Sequence, residues 1–163
     1  MRLGSVKGVG EATPTIFEWG GGRAAFERWL NTFYDLVEGD ELLARLFGGK
    51  VTEEHRRHVT TWWCEVMGGP AAYTEEHGGY RRMLARHRGL AITREQRLRF
   101  VTLLSRAADD ADLPADPEFR AAIVGYAEWG SRLAVHNSQP GAEVAPEAPV
   151  PRWGWGVAPP YEP

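Results

Sequence analysis

Between residues 26 and 37, Phe26, Trp29, Leu30, Phe33, Tyr34 and Val37 recur by threes and fours, so that only a helix gathers them on one face. The pattern recurs in His55, Val59, Trp62, Trp63 and Val66, in Tyr80, Met83, Leu84 and His87, in Phe100, Leu103, Leu104 and Ala107, and in Phe119, Ile123, Tyr126 and Leu133. No segment alternates apolar with polar residues as a half-buried strand would, and no internal repeat is visible. The chain is therefore expected to be all-α, with its stripes turned onto one core.

Punctuation separates these helices. Residues 41–47 read as a brief helical piece stopped by Gly48-Gly49. Thr52 is placed to cap the next helix, and Glu53 and Glu54 suit its positive end. Gly68-Gly69-Pro70 closes that helix, and residues 71–79 read as polar and irregular. Thr93 and Gln96 have capping-box spacing, and Asp116-Pro117 opens the last helix. Three regions follow: a Gly-rich flexible segment over 1–14, a helical domain over 15–137, and a Pro/Trp-rich tail over 138–163. The tail cannot continue a helix, but Trp153, Trp155 and Tyr161 predict that it docks as an extended segment.

A length of 163 residues, 43% of them hydrophobic, suits one domain that buries a core and still encloses a small-molecule pocket. The net charge of −3 offers no basic patch for nucleic acid or an anionic membrane. A single cysteine, Cys64, excludes an intramolecular disulfide framework, and the start of the chain has no apolar leader, so a cytoplasmic setting is expected. No Gly-rich phosphate loop, CxxC pair or Ser-centred elbow is present.

His87 is the first candidate for chemistry. Imidazole is a good iron ligand, and a helix facing a pocket can present it in a fixed direction with its second ring nitrogen held by a carbonyl. On spacing alone, such a histidine is more often a hydrogen-bonded core residue. His55 and His58 stand three apart and could hold a non-haem metal, but no second Glu-x-x-His segment completes a cage. Tyr34 within an apolar stripe needs a hydrogen-bond partner. Cys64 has no evident basic neighbour and reads as a packed thiol, and Trp62-Trp63 as core first and cofactor wall second.

Four segments in register resemble the group II truncated haemoglobins over roughly residues 15–137. They are Phe33-Tyr34 followed by Phe47, Trp62-Trp63 through Gly68-Gly69-Pro70 to Tyr73, Met83-Leu84-Ala85-Arg86-His87, and the helix entered at Ile92-Thr93. The resemblance implies a two-over-two helical sandwich around haem b with His87 as proximal iron ligand. It implies further that Phe47, Trp62, Trp63 and Leu84 contact the porphyrin, and that Arg86 and Tyr73 lie near its propionates. Tyr34, His55, Val59 and Phe100 would then surround the gas ligand, with Tyr34 and His55 as its stabilising donors. Phe100 stands where the family usually has a tryptophan, and phenylalanine cannot donate a hydrogen bond. His55 occupies a position often small in the family, so the donor has an alternative origin on the opposite wall.

The function implied is oxygen binding and transport, with oxidation of nitric oxide to nitrate as a further activity. A haem enzyme of peroxidase or oxygenase type acting on an organic substrate is the alternative, and a cofactor-free helical interaction module is a third reading. The expected partners are oxygen, nitric oxide, carbon monoxide or peroxide, together with a reductase and a second copy of the chain. Neither nucleic acid nor membrane is among them.

Overall fold

A computed structural model describes residues 12–143 and 147–156. Its helices are α1 (Ile16–Trp19), α2 (Gly22–Glu38), α3 (Glu41–Ala44) continued by a 3₁₀ turn Arg45–Phe47, α4 (Glu53–Val66), α5 (Ala72–His77), α6 (Gly79–His87), α7 (Arg94–Asp110) and α8 (Pro117–Ser138). No strand occurs among the described residues. The expected caps form: Thr52 accepts from the His55 amide, Thr93 and Gln96 make a reciprocal capping box, and the Asp116 side chain accepts from the Phe119 amide.

The stripe of α2 is buried along its whole length, and α2 packs against both α4 and α7, with α7 against α8. Tryptophans tie these layers with directed bonds that apolar packing alone would not supply. Trp29 donates to the Leu104 carbonyl at 3.0 Å, and Trp62 donates to the Tyr126 hydroxyl at 2.9 Å. Arg56 donates to Asn31 O, Asp35 and Glu38, fastening α4 to α2. A close approach after α4 explains Gly68, whose φ is +96° and where a Cβ would stand 2.8 Å from the Thr15 Cβ.

Two elements differ from the sequence expectation. Residues 71–79 are not irregular, since Ala72–His77 form α5. The Glu65 carboxylate, buried in α4, accepts from the Thr74 amide and hydroxyl and so holds the first turn of α5. The short α1, entered through Thr15, also went unread; its Phe17 amide donates to the Met67 carbonyl at 2.8 Å.

Beyond α8 the described part of the tail lies on the helical body. The Trp153 amide donates to the Val66 carbonyl at 2.8 Å, Trp155 donates to the Pro14 carbonyl at 2.8 Å, and Val150 is buried. Tyr161, the third aromatic expected to dock, and residues 1–11 of the expected flexible segment lie outside the described residues.

Candidate functional site

One stripe does not behave like the others. Tyr80, Met83, Leu84 and His87 form the apolar face of α6, yet none is fully buried. That face lines a cavity. Its other walls come from Tyr34 of α2, Leu43, Leu46 and Phe47, from His55, Val59, Trp62 and Trp63 of α4, from Tyr73 of α5, and from Phe100 of α7. Every site residue expected from the sequence, Arg86 included, therefore borders one space.

At His87 the ring Nδ1–H donates to the Met83 carbonyl four residues earlier, at 2.9 Å. That bond fixes the tautomer and leaves Nε2, with its lone pair, without a partner among the described residues. Burial lowers the His87 pKa, so the ring is neutral, as a metal ligand must be. Among the described residues no group of three or more metal-ligating side chains gathers anywhere. A metal brought to this cavity would need its remaining ligands from a cofactor.

Tyr34 and His55 share a hydrogen bond of 3.2 Å between the phenol oxygen and Nε2. Their rings meet edge to face at 5.3 Å, and Phe47 packs on both, 5.7 Å from Tyr34 and 5.3 Å from His55. Burial pushes the Tyr34 phenol well above its ordinary value, so it stays protonated. Burial first, and then the charge of Arg86, lowers His55 to about 4, which makes it a neutral imidazole at physiological pH. His55 is pinned between Tyr34 and Phe47. Phe100 stacks edge to face on Phe33 at 5.0 Å and presents no donor.

At one edge of the cavity two buried polar atoms, the Tyr73 hydroxyl and Arg86 Nε, have no partner among the described residues. The rest of the Arg86 guanidinium meets His58 Nδ1 at 3.0 Å, and the His58 ring lies tilted by 48° against His77, ring centroids 4.3 Å apart. An unpaired buried phenol oxygen and guanidinium Nε–H each carry a desolvation cost that a carboxylate would relieve. A largely apolar slot with a nitrogen donor on one helix and carboxylate-seeking groups at its edge fits a porphyrin with its propionates.

Several lining residues were not read from the sequence. His58, weighed only as a non-haem metal ligand that lacked a second Glu-x-x-His segment, is one of them. Tyr126, Trp129 and Gly130 of α8, Gln96 and Arg97 of α7, and Pro151 of the tail also border the cavity. The i, i+3 spacing of Tyr126 and Trp129 was available as a signal. The contribution of Pro151 was not, because no periodicity governs an extended tail.

The family model for bacterial-like globins matches residues 15–125. The chain is a bacterial-like globin of the group II truncated haemoglobin kind. Over 118 residues it is 30% identical to the group 2 truncated hemoglobin YjbI of Bacillus subtilis, covering 72% of this chain and 86% of that one. It superposes on the group II truncated haemoglobin of Bacillus anthracis with a TM-score of 0.70 at 26% identity, over 82% of this chain and all of the other. A truncated oxygen-avid haemoglobin from Bacillus subtilis matches with a TM-score of 0.66 at 29% identity, over 75% and 99%. The helices of this globin thus form the two-over-two sandwich, and the family carries haem binding and an oxygen-related function. No helix among the described residues is long and apolar enough to cross a membrane.

Proposed function

We propose that this globin binds haem b through His87 and takes up oxygen and other diatomic ligands in the space beside Tyr34 and His55. The observation that carries the reading is the His87 Nδ1–H bond to Met83, which leaves Nε2 as a directed, neutral donor in an apolar cavity. A b-type haem is favoured over covalent attachment, because the one cysteine, Cys64, is buried and no C-x-x-C-H sequence is present. Phe47, Val59, Trp62, Trp63, Leu84 and Phe100 would wall the porphyrin, while Tyr73 and Arg86 would take its carboxylates. When bound, haem iron supplies a reversible coordination position for a diatomic ligand and one-electron redox chemistry.

The chain's own part is electrostatic. Tyr34 holds its proton and can donate it toward a ligand that draws negative charge, and the neutral His55 imidazole orients the phenol through their shared bond. Nitric oxide oxidation fits the same arrangement, provided a reductase partner returns the iron to the ferrous state. A homodimer and a cytoplasmic location are compatible with this role.

His87→Ala is expected to leave less than about a tenth of the wild-type haem per chain, since loss of a ligand or its support costs 10–100-fold in metal affinity. The Soret absorbance per chain after expression with haem supply measures this, with far-UV circular dichroism confirming the helices. Full haem content with an unchanged ferrous spectrum would remove His87 from the role.

A peroxidase reading is favoured by one feature. Opening of the bond to Tyr34 would free Nε2 of His55, kept neutral by burial, to take a proton from peroxide. Steady-state peroxide turnover set beside oxygen dissociation kinetics separates the two readings.

A further inference from the structure

The wall of the cavity continues outward as a run of aromatic rings that neither ligand binding nor core packing requires to reach the surface. Trp63 meets Tyr126 edge to face at 5.0 Å, and Trp62 donates to the Tyr126 hydroxyl. Tyr126 in turn lies 6.0 Å from Trp129 and 5.6 Å from Trp153, and those two indoles are 5.8 Å apart. The inner rings, Trp62, Trp63 and Tyr126, are buried, whereas Trp129 is 43% exposed. Trp153 is half-buried and comes from the tail, held in place by its amide bond to Val66 O. An exposed indole is a cost that a tail laid beside it would ordinarily remove by covering it. Here the tail adds a second indole and leaves the first open.

Indole and phenol rings are among the most readily oxidised side chains, and rings in near contact pass an electron between them. We propose that the Trp129/Trp153 pair, joined to the cavity wall through Tyr126, is a surface site where electron-rich phenols too large to enter the cavity are oxidised by one electron. This rests on haem occupying the cavity and on peroxide reaching it. Hydrogen peroxide in the cavity takes two electrons and two protons, its O–O bond breaks, and it leaves as two waters. The electrons come outward-in, from Trp129 or Trp153 through Tyr126 and Trp63. Two phenol molecules restore the indoles in turn, each giving one electron and its hydroxyl proton and leaving as a phenoxyl radical. Tyr126 suits a relay more than a resting place for the radical. Its oxygen already accepts from Trp62, burial holds its proton, and no basic side chain among the described residues bonds to it. An indole can lose an electron and keep its N–H.

The test uses the ferric holoprotein, hydrogen peroxide and the spin trap 2-methyl-2-nitrosopropane, with adducts located by peptide mass spectrometry. Phenol-grafted dextran serves as the bulky donor and free guaiacol as the small one. The expected result is an adduct on Trp129 or Trp153, lost in the Trp129→Phe/Trp153→Phe double variant, which also couples the dextran at least about tenfold more slowly. Trp153→Phe alone, which leaves the cavity lining intact, is expected to slow dextran coupling while peroxide consumption with guaiacol continues. Adducts confined to other residues, or a double variant that couples dextran at the wild-type rate, would overturn the relay while the peroxide reading stood. A ferric spectrum that peroxide leaves unchanged would overturn both.

Discussion

Tyr34 and His55 are tied by one hydrogen bond, which makes the direction of the phenol depend on the imidazole. A hydrogen bond to a charge-bearing acceptor contributes about 1.5–3 kcal/mol, and each ~1.4 kcal/mol is tenfold in rate. Tyr34→Phe is therefore expected to speed oxygen release by about ten- to a hundredfold. His55→Ala should act in the same direction, and the double variant should release oxygen little faster than Tyr34→Phe alone, since partners in one bond do not add. Stopped-flow oxygen displacement from the ferrous protein measures all three, and additive effects would show that the two residues reach the ligand separately. Phe100→Trp supplies an indole N–H and should slow release by roughly two- to tenfold, the worth of a neutral bond of about 0.5–1.5 kcal/mol. Carbon monoxide, less polar, should respond far less in every variant. Both residues were legible as stripe positions, Tyr34 on α2 and His55 on α4. Their mutual bond was not, because it depends on the distance between two helices that share no local sequence.

What a helix stripe can and cannot announce is clearest at the elements. The stripes of α2, α4, α7 and α8 are repeated apolar signals over several turns, and each was readable. The helix α5 has no stripe to read: Tyr73 is its one fully buried residue, and its start is held by Glu65 from α4. A helix fixed by a long-range carboxylate has no local signature. The tail lacks periodicity for a different reason, being anchored by single contacts at Val150, Trp153 and Trp155. Its boundary is better set after α8 is complete, since Ser138 accepts from the Ala91 amide through its carbonyl and from the Ile92 amide through its hydroxyl. Truncation after Glu143 keeps those bonds. Burying the Val150 side chain is worth about 1.5–3 kcal/mol, which truncation forfeits. Removing the docked tail should lower the thermal midpoint by roughly 4–8 °C while haem content stays stoichiometric. Apo or aggregated protein would mean that Pro151 and its neighbours are an indispensable wall of the cavity.

At the scale of the whole molecule, building a dry slot in a small helical body places its histidines where a positive charge is poorly solvated. Desolvation is the leading cause of the lowered pKa at both His55 and His58, and Arg86 lowers each of them further. The folded chain refuses a proton at His55 until about pH 4, whereas the unfolded chain accepts one near 6.5. Between those values the unfolded state binds more protons, so stability rises with pH there and is lost as the medium is acidified. The gap, at about 1.4 kcal/mol per pH unit, bounds the loss at about 3 kcal/mol, and partial exposure of the ring trims it to about 2 kcal/mol. His55→Gln, which retains a polar side chain but cannot titrate, should escape that share. The difference in unfolding free energy between the variant and the wild type should thus be constant above about pH 7. It should shift in the variant's favour by about 2 kcal/mol on going from there to pH 4. Denaturant titrations of the two proteins at matched haem content across that range provide the check, because haem loss common to both cancels in the difference. Parallel profiles down to pH 4 would mean that His55 accepts its proton in the folded state, and that the bond to Tyr34 opens well before the protein does.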